Sequence, residues 1–177
     1  MRRINNPFVG HEGYECFGCA PHNPAGLKLE FYEDGDDVVA TLEPAEHFQG
    51  YNRVLHGGIQ ATLLDEVSSW VVFVKIGTAG VTQKMEISYE KPSFVGRAVT
   101  VRARLLRMEK NIAVIEAELY QNGDEPSARA TCRYYTYPER IARRKLMYPG
   151  LEAFLPQYGP PDGPPDGPNE KQETEKN

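Results

Sequence analysis

Residues 57–76, GGIQATLLDEVSSWVVFVKI, are the one long stretch whose apolar positions recur at helical spacing. Ile59, Leu63, Val67, Trp70 or Val71, and Val74 fall three and four apart and share a face. Gly77 follows as a natural C-cap. The helix is apolar on more than one face, so it must be covered from several sides. The rest of the chain supplies the cover. LKLEF (27–31) alternates apolar and polar residues, and DVVATL (37–42) follows the turn-like EDGD, a hairpin pattern. After the helix come strand-like runs at 81–90, 98–108, 112–121 and 127–137. KPSFVG, EKN and NGDEP separate them, all turn chemistry. Strands joined by short turns pair antiparallel. The expectation is an α+β fold in which a six-stranded antiparallel sheet wraps one long central helix. A short helix at 138–147 follows.

Other features bound the function. The chain of 177 residues carries a net charge of −5, which argues against nucleic acid as a partner. The longest apolar run, WVVFV, is far short of the ~18 residues of a membrane span. MRRINNPFVG is basic but lacks the apolar region of a signal peptide. Three cysteines are an odd number, and a chain of this size needs no disulfide staple. These features predict a reduced, cytoplasmic protein. The domain is expected over 1–155, with an N-terminal extension at 1–26. Residues 156–177 repeat GPPD and then turn wholly polar, a composition expected to be disordered.

The segment HFQGYNRVLHGGIQATLLDEVSSW resembles the hotdog-fold thioesterases, especially the phenylacetate-pathway (PaaI-like) type within the 4-hydroxybenzoyl-CoA thioesterase superfamily. The shared pattern is a loop Gly, an H-G-G turn and an Asp nine residues beyond the His. VTQKMEISYEKPSFVG and CFGCAPHNPAGLKLEF are similar to flanking segments of that family, so the likeness covers about 14–137. It implies a hotdog fold, an acyl-CoA substrate, no cofactor and no metal.

The chemistry suits these residue types. A helix N-terminus offers unpaired N–H groups and partial positive charge, and Gly57 and Gly58 leave room for an acyl group to approach. The resemblance assigns carbonyl polarisation mainly to the Gly57 N–H, and an oxyanion donor of this kind is typically worth ~10²–10³ in rate. It makes Asp65 the general base or nucleophile, has Thr82 help to hold the attacking water, and has His56 order the loop and contact the thioester. Gly58, Asn52 and Thr62 are candidate substrate contacts. Plain alternatives are a helix-start His bonded to backbone, an Asp paired with a buried Arg, and an ordinary strand Thr. Some relatives carry Asn six residues before the His. Here Gly50 stands there, and Asn52 is out of register.

Gly57 and Asp65 are eight residues apart, about 12 Å along a helix, whereas reacting groups need ~3–3.5 Å. One chain cannot easily bring both to one thioester, so a homodimer or homotetramer with composite sites is expected. Asp65 shares a stripe with Thr62 and Ser69, which suits an interface cleft.

Weaker signals remain. His11, Cys16, Cys19 and His22 have the vocabulary of a zinc site, but the spacing is compact and N-terminal packing is the preferred reading. RIARRK (140–145) suits CoA phosphates or a solvated face. The RYYTY tyrosines read as strand faces, and Glu66 points about 100° from Asp65 and reads as no second catalytic acid. Trp70 or Phe73 lines or blocks the pocket. Two alternatives to a thioesterase are a non-catalytic acyl-CoA-binding protein and, less favoured, an enoyl-CoA hydratase, for which no NPxHxD-like stretch is present.

Overall fold

A computed structural model describes residues 1–156, so the tail expected to be disordered lies, but for Pro156, outside the described residues. The central helix is there: α1 spans Gly57–Val71 and continues as a wider π-helical turn, Val72–Ile76. Gly77 ends it at φ 77°, a left-handed conformation that suits glycine. The strands are β1 (Arg2–Arg3), β2 (Phe31–Asp34), β3 (Asp37–Leu42), β4 (Gly80–Tyr89), β5 (Val99–Glu109), β6 (Ile112–Tyr120) and β7 (Ala128–Thr136). They form one antiparallel sheet in the order β1-β2-β3-β5-β6-β7-β4. A short helix α2, Glu139–Lys145, follows β7.

The sheet differs from the expected six strands in two places. The two-residue β1 adds a seventh strand at one edge. The first hairpin strand begins at Phe31, not at residue 27. Leu27 and Leu29 instead donate their N–H groups to Phe17 O (2.7 Å) and Gly18 O (2.9 Å) of the N-terminal extension. Lys28 between them sits at φ 55°, outside strand geometry. The alternation of LKLEF therefore marks two buried leucines in a pinned loop.

α1 buries Leu63, Leu64, Val67, Ser68, Trp70 and Val71. Trp70 stacks on Phe31, with ring centroids 4.2 Å apart and planes at 16°, and meets Phe73 and Phe154 edge-on. It is a core residue, 1% exposed. Stacked aromatic pairs of this kind add about 0.5–1.5 kcal/mol to their area burial. The N-terminal extension joins this core through Phe8, whose ring lies 5.5 Å from that of Phe73. One irregularity matters for the site. The β4–β7 register shifts between Thr82 and Lys84, just after Thr82 pairs with Tyr134.

Candidate active site

His56 caps α1. Its backbone, at φ −60° and ψ 134°, is extended, and its Nδ1 accepts the Gly58 N–H at 2.9 Å. Its carbonyl accepts from Ile59 N (2.9 Å) and Gln60 N (3.1 Å). The first four N–H groups of a helix lack partners within it. Here three are satisfied, and the Gly57 N–H has no partner among the described residues. His56 thus bonds backbone at a helix start, and that bond leaves one donor free. The cap also explains the neighbouring glycines. A Cβ on Gly58 would lie 3.0 Å from His56 Nδ1, and one on Gly50 3.2 Å from His56 Cδ2. Any side chain at 50, asparagine included, would press on the capping ring.

Gly57 opens onto a cleft of about 710 Å³ lined also by Gly50, His56, Gln60, Tyr89 and Lys91. The Tyr89 hydroxyl donates to Gly57 O at 2.9 Å, which fixes this first turn against the end of β4. Gln60 is buried. Its Nε2 donates to Leu55 O (3.1 Å), while its Oε1 has no partner among the described residues. Neither Tyr89 nor Gln60 carries a local sequence signal. Both belong to the site only because strand end and helix start meet.

Asp65 lies two turns further along α1, half-buried. Thr82 Oγ1 donates to its Oδ1 at 2.9 Å, and the Tyr134 hydroxyl reaches the same oxygen at 2.6 Å. Tyr134 is also 2.6 Å from the Asp65 carbonyl oxygen. Burial, then the Asp65 charge, pushes the Tyr134 phenol far above its ordinary value, so it acts as a neutral donor. No ion pair among the described residues involves Asp65, and Oδ2 carries no hydrogen bond among them. The arrangement is a carboxylate with one oxygen pinned by two hydroxyls and the other open. The pinning groups are cross-strand neighbours on β4 and β7. The resemblance singles out Thr82 as a holder of water, and here its hydroxyl is spent on Asp65. Tyr134 is not singled out, because strand alternation says which face a tyrosine takes and not what stands there.

The other candidates are dispersed. Thr62 Oγ1 donates back to Gly58 O at 2.9 Å, within the helix. Asn52 is exposed and lines a separate hollow with Arg53 and Val95. Gly58 has spent its N–H on His56. Arg143 of RIARRK pairs with Glu139 at 2.7 Å, its neighbour on α2. Of the zinc-like set, His22 Nε2 bonds Tyr14 O at 2.6 Å and His11 meets Phe8 edge-on. Cys16 and Cys19 converge instead with Glu66, their ligand atoms within 4.8 Å of one another.

The sheet-wrapped helix is the hotdog thioesterase fold. Among solved structures it is similar to a Streptococcus mutans protein bound to acetyl-CoA, with TM-score 0.58 and 21% identity over 63% of this chain and 90% of that one. It is similar also to the Escherichia coli PaaI protein from the phenylacetic acid degradation operon, with TM-score 0.58 and 19% identity over 64% and 82%. Residues 52–128, which hold Gly57, Asp65 and Thr82, match the thioesterase superfamily model. Mouse acyl-coenzyme A thioesterase 13 is 33% identical over 85 residues, 48% of this chain and 61% of that protein. The chain spans about 60% of the length of such curated relatives. No helix among the described residues is long and apolar enough to cross a membrane.

Proposed function

We propose that this chain is an acyl-CoA thioesterase that works as a homodimer or homotetramer, with residues 1–155 as the hotdog domain. Gly57 of one subunit and Asp65 of its partner then serve one thioester. The observation that carries this reading is a division of labour along a single helix. One end presents a free N–H beside a cleft, and the middle presents a carboxylate held by Thr82 and Tyr134 outside that cleft. Three free cysteines fit a reducing, cytoplasmic setting.

The geometry supports the following reaction. The thioester oxygen accepts a hydrogen bond from the Gly57 N–H as negative charge develops on it. Asp65 Oδ2 removes a proton from water, which attacks the carbonyl carbon. The tetrahedral intermediate collapses, the C–S bond breaks, and the thiolate of CoA receives the proton. Thr82 and Tyr134 hold the base in place.

A panel of acyl-CoA substrates read by thiol release, with Asp65→Asn as control, tests the reading. The Asn variant should lose ~10²–10⁴ in kcat. Equal rates for parent and variant refute the mechanism, and a fully active monomer in light scattering refutes the composite site.

A further inference from the structure

The N-terminal extension carries chemistry that thioester hydrolysis does not use. Residues 16–20 form a tight turn, with Ala20 N donating to Cys16 O at 3.1 Å. That turn stacks the two thiols of CFGC. Cys19 Sγ lies 2.8 Å from Cys16 Sγ, and the Cys19 backbone N–H reaches the same Cys16 sulfur at 3.1 Å. Cys16 is half-buried between two exposed residues, Glu15 and Phe17, whereas Cys19 is 6% exposed. Below them stands Glu66 of α1, whose carboxylate lies within 4.8 Å of both sulfurs. Its Oε1 is 3.4 Å from Cys16 Sγ and 3.4 Å from Trp70 Nε1. Gly18 covers that carboxylate so closely that a Cβ there would come 2.4 Å from Glu66 Cδ. Tyr14 completes the group, its hydroxyl 2.9 Å from Cys19 Sγ. Among the described residues no cation pairs with Glu66.

An accessible thiol held by a second, buried thiol, with a covered carboxylate beside both, is an arrangement for moving two electrons. We propose that Cys16 and Cys19 form a thiol–disulfide exchange site for low-molecular-weight disulfides, with Cys16 as the entry thiol, Cys19 as the resolving thiol and Glu66 as its base. The Cys16 thiolate attacks a disulfide RSSR, forming a Cys16–SR mixed disulfide and releasing RS⁻. Glu66 takes the Cys19 proton. The Cys19 thiolate attacks Cys16 Sγ, the Cys16–SR bond breaks, and the second RS⁻ leaves. The dithiol is oxidised by two electrons, and RSSR is reduced to two thiols.

The local electrostatics agree with this order. The Cys19 S–H, and to a lesser extent its N–H, hold Cys16 below the ordinary thiol value against burial and the Glu66 charge. The bond to Cys16, then burial, pushes Cys19 far up. The first of these causes vanishes once Cys16 is in a mixed disulfide. Burial pushes the Glu66 carboxyl up, toward a better base. Cys132, fully buried in β7, is a built-in bystander.

The test is a titration of the full chain in glutathione/glutathione-disulfide mixtures, read by intact mass after alkylation in denaturant. The parent should lose two hydrogens and keep one alkylatable thiol, Cys132. Cys19→Ser should stop at one glutathionyl adduct, and Cys16→Ser should take up none. Glu66→Gln should accumulate the adduct and close the disulfide at least ~10-fold more slowly. Three alkylations of the parent at every ratio overturn the proposal. So does a stable adduct on the parent, or a copurifying divalent metal that protects both thiols. The parent measurement decides even where a variant misfolds.

Discussion

Gly57→Pro tests whether the helix N-terminus is chemical or merely structural. The perturbation removes one atom of interest, the hydrogen on Gly57 N. That N–H has no partner among the described residues, so no internal hydrogen bond is lost. Gly57 is the first helical residue, the position where proline is best tolerated. Proline forces its predecessor into extended backbone, and His56 is already at φ −60°, ψ 134°. A Cβ at 57 meets the Tyr89 ring no closer than 3.6 Å, ordinary contact. The fold should therefore survive, with a melting temperature near that of the parent. If the N–H polarises the thioester, its deletion should lower kcat ~10²–10³-fold, about 2.7–4 kcal/mol of transition-state stabilisation. Gly57→Ala keeps the N–H while adding the same first carbon, so it should lose far less. The assay is acyl-CoA hydrolysis read by thiol release, alongside thermal melts. A well-folded Pro variant as active as the Ala variant refutes the role given to Gly57.

Other outcomes follow from the same geometry. Equal amounts of Gly57→Pro and Asp65→Asn chains, refolded together, should recover about one quarter of parental activity, since half the dimers are mixed and each holds one intact site. No recovery counts against composite sites. Tyr134→Phe deletes a 2.6 Å hydrogen bond to a carboxylate. Such bonds are worth about 1.5–3 kcal/mol, so kcat should fall roughly 10- to 150-fold with KM little changed, and an unchanged kcat removes Tyr134 from the site. Burial raises the Glu66 pKa above its ordinary 4.5, so the folded chain binds the proton more tightly than the unfolded one. Its contribution is complete below the ordinary carboxylate range and declines as pH rises toward the folded value. Melting temperatures of Glu66→Gln should lack that decline, and parallel pH profiles for parent and variant refute it.

Much of this was legible in the residues. The helical spacing of Ile59, Leu63, Val67 and Val74 and the strand runs around it foretold the sheet-wrapped helix, because burial periodicity is local information. H-G-G and Asp65 stood out for the same reason: each is a polar or flexible exception within an apolar run. Other features were written across distance. Tyr134 meets Asp65 only because β7 pairs with β4 at Thr82 and both face α1. Leu27 and Leu29 leave the sheet because Phe17 and Gly18 claim their N–H groups. The CFGC thiols, read in the sequence as N-terminal packing in preference to a zinc set with His11 and His22, lie beside Glu66. By itself, the sequence determined which segments bury and where a free helix N-terminus stands, since both depend on neighbours along the chain. Only the tertiary structure decided which hydroxyls hold Asp65 and which carboxylate faces the thiols, because hydrogen bonds act over about 3 Å and join residues the chain keeps far apart.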